Sequence, residues 1–224
     1  MSADSDRSND FEVNTDNTAT RVHCVLVVDV SESMLKGDAI GEVNRGIAAL
    51  KKDILDNDRA KDSVEVMLVT FGGTAQVVHG FGHISEFNPP TLIAEGGTPL
   101  GEALQLAYER LQERKEDARN QGVGVYNRSW VFLMTDGEPN SRSPWETWSR
   151  KFHQYQIDRG CWFYAFGVGK VNETIMRTLT PPGEPTYKLD ANPGAFSKLL
   201  KFASASLTGA QADQKPVLVQ NPCA

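Results

Sequence analysis

The stretch Val22-His23-Cys24-Val25-Leu26-Val27-Val28, followed at once by Asp29-Val30-Ser31-Glu32-Ser33, decides how this 224-residue chain reads. An apolar run with one polar interruption, bounded by Arg21 and Asp29, is the pattern of a strand buried on both faces. Such strands belong to parallel sheets covered by helices, so a helix should follow. Ile40, Val43, Ile47, Leu50 and Ile54 supply it, because spacings of three and four put all five on one apolar stripe.

Outward from there the alternation continues. Val64–Phe71 reads as a second buried strand, and Gly72-Gly73 as a tight turn into Ala75–His79, a hairpin that ends in an edge strand. Leu100, Ala103, Leu104, Ala107 and Leu111 repeat the helical stripe, with Pro99 near the first turn, where a missing N–H is harmless. Trp130–Met134 is the next strand. Pro144–Ile157 is a helix whose Trp145, Trp148, Phe152 and Tyr155 form a packed face more simply than a cofactor box. Cys161–Val168 is a strand, Glu173–Leu179 a short helix, Thr186–Leu189 a strand, and Phe196, Leu199, Leu200, Ala203 and Leu207 mark a last helix. The fold class is therefore α/β, a doubly wound and mostly parallel central sheet with one antiparallel edge strand and helices on both faces. Ligands of such sheets sit beyond the carboxyl ends of the strands, where the strand order reverses.

Composition bounds the function. Hydrophobic residues make up 40% of the chain, and 23 Lys and Arg against 29 Asp and Glu give a net charge of −6. An acidic surface repels a phosphate backbone, so no nucleic-acid role is expected. Residues 1–20 carry Asp4, Asp6, Asp10, Glu12 and Asp16 against Arg7 and read as a disordered acidic arm. Residues 21–210 form the folded domain, and 211–224 a C-terminal tail. The run from Val22 to Val30 is far short of the about 20 apolar residues that cross a bilayer, so no membrane insertion is expected. Residues 1–20 have no apolar stretch for a signal peptide. Cys24, Cys161 and Cys223 are an odd set, two of them in strand-like runs, which suits buried thiols in a reduced, cytoplasmic compartment.

Three segments at strand ends are rich in hard oxygen donors. In Asp29-Val30-Ser31-Glu32-Ser33 the alternate spacing lets Asp29, Ser31 and Ser33 turn to one side. In Gly96-Gly97-Thr98-Pro99-Leu100 the glycines allow close loop approach beside Thr98. Thr135-Asp136-Gly137-Glu138 ends the strand Trp130–Met134. Asp29, Ser31 and Ser33 by themselves equally suit a turn-and-cap cluster. With Thr98 and Asp136 they make a donor set of two carboxylates and three hydroxyls, which suits Mg²⁺, a small ion that binds oxygen and retains waters. So few carboxylates leave the ion electrophilic towards an incoming anion, a binding device more than a hydrolytic one.

These three segments, in this order, resemble the metal-ion-dependent adhesion site of von Willebrand factor type A domains, and the resemblance covers about residues 22–207. It implies the Rossmann-like fold of that family, a metal set of Asp29, Ser31, Ser33, Thr98 and Asp136, and Mg²⁺ as cofactor with Mn²⁺ or Ca²⁺ as alternatives. The partner would be a protein presenting an acidic residue to the cation. Glu32 departs from the family, which often has Gly there, and places an extra carboxylate at the rim; Gly97, Glu138, Asn140 and Trp145 complete a candidate partner-binding rim. Gly96–Ala103, Met134–Asn140 and the segment Ala195–Leu207 further resemble TerY-like bacterial proteins of tellurite-resistance and stress operons. That likeness implies a kinase or phosphatase from the same operon as partner.

Two other readings stay open: a Mg²⁺-dependent phosphotransferase or hydrolase, and a structural scaffold whose site holds no ion. The first would want an aspartate nucleophile with a second carboxylate two residues on, where this chain has Ser31. Gly167-Val168-Gly169-Lys170 lacks phosphate-loop spacing, with Val171 where Ser or Thr is needed. His79-Gly80-Phe81-Gly82-His83 has no cysteine pair to make a zinc site and reads as a hairpin or loop. Glu109–Arg119 reads as the solvated end of a helix.

Overall fold

The computed structural model describes residues 20–58, 60–125, 128–136, 139–140, 144–168 and 171–189. Strand β1 (Val22–Asp29) leads through a 3-10 turn, Glu32–Asp38, into helix α1 (Ala39–Leu55). Then come β2 (Val64–Gly72), β3 (Thr74–His83), α2 (Leu100–Asn120), β4 (Ser129–Thr135), α3 (Trp145–Ile157), β5 (Cys161–Val168), α4 (Glu173–Leu179) and β6 (Tyr187–Leu189). The six strands form one sheet in the order β3-β2-β1-β4-β5-β6. All pairings are parallel except β2 with β3. The chain winds outward from β1 to one edge and then crosses back to β4 on its other side, so the order reverses between β1 and β4.

Every residue of β1 is buried, as the apolar run demands. Cys24, Leu26 and Val28 face a core closed by Val43, Ile47, Leu50 and Ile54 of α1. Val25 and Val27 face a second core closed by Leu100, Leu104 and Leu111 of α2 and Phe152 of α3. Trp148 and Phe152 are buried in that second core, with Trp145 and Tyr155 packed half-buried beside them, so the aromatic stripe of α3 is a packing face. Cys24 and Cys161 are free and buried, and burial pushes both thiols up, Cys161 to about 12. Cys223, Glu138, the last expected helix and both tails lie outside the described residues. Among the described residues no helix is long and apolar enough to cross a membrane.

Two expectations change. Of the hairpin or loop expected at residues 79–83, the hairpin stands and the loop does not, since these residues continue β3; the antiparallel ladder slips register between Val66 and Val69, and an edge strand tolerates Gly80 and Gly82 where a central one would not. His79 and His83 spend their Nδ1 atoms on Gly80 O and the Ser85 hydroxyl, at 2.8 Å each. The end of α2 is not simply solvated either. Lys115 is buried, its ammonium donates to Gly160 O at 2.6 Å and lies 5.1 Å from the Tyr155 ring centroid, and burial pulls its pKa down to about 8.

At the amino end of the sheet Glu65 of β2 is buried among cations. Arg114 donates from Nε and Nη2 to its two oxygens, both at 2.8 Å. Arg21 Nε lies 3.6 Å and His23 Nε2 3.5 Å from it. Burial alone would raise the Glu65 carboxyl, but the His23 ring and the Arg114 guanidinium outweigh burial and hold it at about 2. Removing one partner of a buried ion pair strands the other charge, so Glu65→Gln should lower unfolding free energy by about 3 kcal/mol in urea titration. An unchanged midpoint would contradict this. Burial holds the imidazoles of His23 and His153 below their ordinary 6.5. Protons then bind the unfolded chain preferentially as pH drops below 6.5, so stability falls in that direction. The urea midpoint should be lower at pH 5.5 than at pH 7.5; a flat profile would exclude both imidazoles as its titrating groups.

Candidate metal centre

Because β1 and β4 are neighbours and parallel, their carboxyl ends open on the same side of the sheet. Asp29 is the last residue of β1 and Thr135 the last of β4, and the Thr135 hydroxyl donates to Asp29 Oδ2 at 2.6 Å. Asp29 Oδ1 accepts the Ser31 N–H at 2.9 Å and the Ser31 hydroxyl at 2.5 Å. The Ser31 hydroxyl lies 3.0 Å from that of Ser33, and the Ser33 hydroxyl donates to Asp136 Oδ1 at 2.7 Å. Four residues from two loops thus form one continuous chain of oxygens. Asp29 and Ser31 are buried, whereas Ser33 and Asp136 are half-buried.

The third loop is stitched to the first. Glu95 N–H donates to Val30 O at 2.7 Å, and Glu32 N–H to Gly96 O at 3.0 Å. The turn between β2 and β3 joins them, with Gly73 N–H donating to Gly97 O at 2.8 Å. Glycine is required here. Gly96 has φ +70°, and a Cβ on it would lie 2.6 Å from both Cα and N of Gly73. These contacts seat Thr98, which is buried, immediately before α2. Asn140 ties it to the Asp136 loop: its N–H donates to Thr98 O at 2.9 Å, and its Oδ1 accepts the Thr98 N–H at 3.2 Å.

Burial pushes the Asp29 carboxyl above its ordinary range, the Ser31 and Thr135 hydrogen bonds oppose that, and the charge of Asp136 adds to it. Burial also raises Asp136, against the hydrogen bond from Ser33 and the pull of Lys36. Two carboxyls that resist ionisation side by side fit a cation that would neutralise them. The oxygen spacing fits as well. Adjacent ligands of an octahedral ion at 2.0–2.1 Å lie about 2.9 Å apart, and the chain above runs at 2.5, 3.0 and 2.7 Å. Among the described residues no three His, Cys, Asp or Glu side chains form a metal cluster. A site built from the described residues of these loops therefore depends on its hydroxyls.

The structure joins Asp29, Ser31, Ser33 and Asp136 by side-chain hydrogen bonds and brings in Thr98 through its backbone. Of the rim residues, Glu32 and Asn140 are exposed, Gly97 is exposed beside Asn140 Oδ1, and Trp145 packs half-buried against the core. Sequence reasoning left out Thr135, whose position directly before Asp136 was the available signal. The double-glycine contact yields a graded expectation. Gly73 also has positive φ, +68°, but a Cβ there has 3.7 Å of room, whereas one on Gly96 meets backbone. A non-glycine residue at positive φ costs about 1–3 kcal/mol. Gly73→Ala should fall in that range and Gly96→Ala should cost more, measured by urea unfolding; the reverse order would contradict the packing described.

The von Willebrand factor type A domain family matches residues 24–201. No curated protein matches in sequence. Among solved structures the fold resembles the pilus adhesin SpaC from Lactobacillus rhamnosus GG in its open conformation, with TM-score 0.64, 17% identity, and coverage of 85% of this chain and 30% of that one. It also resembles the manganese-loaded TRAP protein of Plasmodium vivax, with TM-score 0.55, 22% identity, and coverage of 80% and 72%. A third is proximal thread matrix protein 1 from the mussel byssus, with TM-score 0.54, 19% identity, and coverage of 86% and 47%. At these identities the likeness is one of fold. The chain spans less than half of the byssus protein and under a third of the adhesin. Its fold and its match over residues 24–201 place the chain in the von Willebrand factor type A domain family.

Proposed function

We propose that this domain is a non-catalytic protein-binding module that works through a divalent cation held by Asp29, Ser31, Ser33, Thr98 and Asp136. The supporting observation is the oxygen chain from Asp29 Oδ1 through Ser31 and Ser33 to Asp136 Oδ1. When bound, Mg²⁺, or Mn²⁺ or Ca²⁺ in its place, supplies an electrophilic position for a carboxylate of the partner. The protein's own part is to hold the donors. Asp29 is fixed by Ser31 and Thr135, and the half-buried Ser33 and Asp136 face outward enough to be reached. Glu32, Gly97, Asn140 and Trp145, with Glu138 next in sequence, are the proposed rim. Ser31 stands where a phosphotransferase of this architecture would carry its second carboxylate, which favours binding over turnover.

The domain unit is 21–210, flanked by the acidic arm and the tail, and its setting is a cytoplasmic bacterial stress or tellurite-resistance system. Its acidic partner there is a kinase or phosphatase of the same operon. The manganese in the Plasmodium vivax TRAP structure agrees with a divalent-cation site in this fold. The test is isothermal titration with Mg²⁺ and Mn²⁺, alongside partner capture in Mg²⁺ or in EDTA. One ion should bind, and Asp29→Ala and Asp136→Ala should each abolish binding while far-UV circular dichroism is kept. Partner capture undiminished in EDTA would overturn the reading.

A further inference from the structure

The place of Thr98 depends on loops that follow three different strands, β1, β2 and β4. Upstream, Gly96 and Gly97 are bound to Glu32 and Gly73. Downstream the restraint comes from Asn140, four residues beyond Asp136. Asn140 closes a ring of two hydrogen bonds on the Thr98 backbone, donating its own N–H to Thr98 O and accepting the Thr98 N–H on its side-chain oxygen. Gly97 makes room for that amide: a Cβ on Gly97 would lie 3.1 Å from Asn140 Oδ1. A residue that bonds both the N–H and the C=O of Thr98 holds the two peptide groups flanking its Cα, and with them the direction of the Thr98 side chain.

From this geometry we infer that Asn140 is a positioning residue, which locks the Thr98 loop to the Asp136 loop so that the two donors keep a fixed separation. The inference rests on the metal reading above for its consequence, and on the hydrogen bonds alone for its mechanism. Of the two bonds, the one from the Asn140 N–H is backbone and survives any substitution, while the other needs the side-chain oxygen, so Asn140→Asp keeps both and Asn140→Ala loses the bond that holds the Thr98 N–H. Residues that orient metal ligands without touching the ion typically contribute 10- to 100-fold in affinity.

Two readouts test it on the full chain. In metal-free protein, amide hydrogen exchange at Thr98 should speed up at least about tenfold in Asn140→Ala and remain as in the parent in Asn140→Asp, with the β1 amide of Val27 unchanged in both. In Mn²⁺ titration, Asn140→Ala should weaken binding about tenfold, and Asn140→Asp should bind at or above the parent affinity. Unchanged Thr98 exchange in Asn140→Ala would overturn the inference. So would unchanged Mn²⁺ affinity in Asn140→Ala while Asp29→Ala abolishes binding. If Asp29→Ala itself binds Mn²⁺ like the parent, the metal reading fails separately, and Thr98 exchange still decides whether Asn140 holds the loop.

Discussion

The site depends on the parallel pairing of β1 with β4. Register Val28 with Met134 puts the last residues of the two strands side by side, and there the Thr135 hydroxyl reaches the buried Asp29 carboxylate at 2.6 Å. A carboxylate in that position is costly unless its oxygens are satisfied. Asp29 is satisfied by three donors, all from the two strand exits. The strand order reverses at this pair, and it is at such a reversal, beyond the carboxyl ends of the strands, that a sheet of this kind leaves room for a ligand.

Stitching by backbone hydrogen bonds extends this anchor to the third loop. Val30, Glu32 and Gly73 each bond to the segment 95–97, and Gly96 lies directly against the backbone of Gly73. A side chain at Gly96 would push the Thr98 loop outward, so that position is set by distance as well as by φ, whereas Gly73 is set by φ alone. The result is a shallow group of oxygens with a deep, fully bonded carboxylate at its base and a half-buried one at its rim. With only two carboxylates in the group and no excess negative charge, a divalent ion held there would stay electrophilic towards an external anion. Lys36 moderates Asp136 from outside.

Much of this was legible in the sequence. The nearly continuous apolar runs of β1, β4 and β5 announced strands buried on both faces, and the three-four spacing of Val43, Ile47, Leu50 and Ile54 announced α1. The spacing Asp29, Ser31, Ser33 and the Thr-Asp-Gly turn pointed at the strand exits. The rest needed three dimensions. Glu65 is a single charge inside an apolar strand, and its partners Arg21 and Arg114 are far away in sequence. Lys115 continues the stripe Leu104, Ala107, Leu111 at helical spacing, but a lysine there read as solvated because its acceptor, Gly160 O, belongs to another loop. β3 ran past His79 because an edge strand accepts glycines and a slip in register, neither of which has periodicity to read. Asn140 gave no signal of its grip on Thr98, since a loop asparagine serves many turns.

The most direct measurement is anomalous diffraction from a crystal of the full chain soaked in Mn²⁺. A single anomalous peak within about 2.3 Å of the hydroxyl oxygens of Ser31 and Ser33, on the side facing Thr98 and Asp136, is the predicted result. A peak elsewhere, or none at these loops with Mn²⁺ bound at another site, would contradict the account.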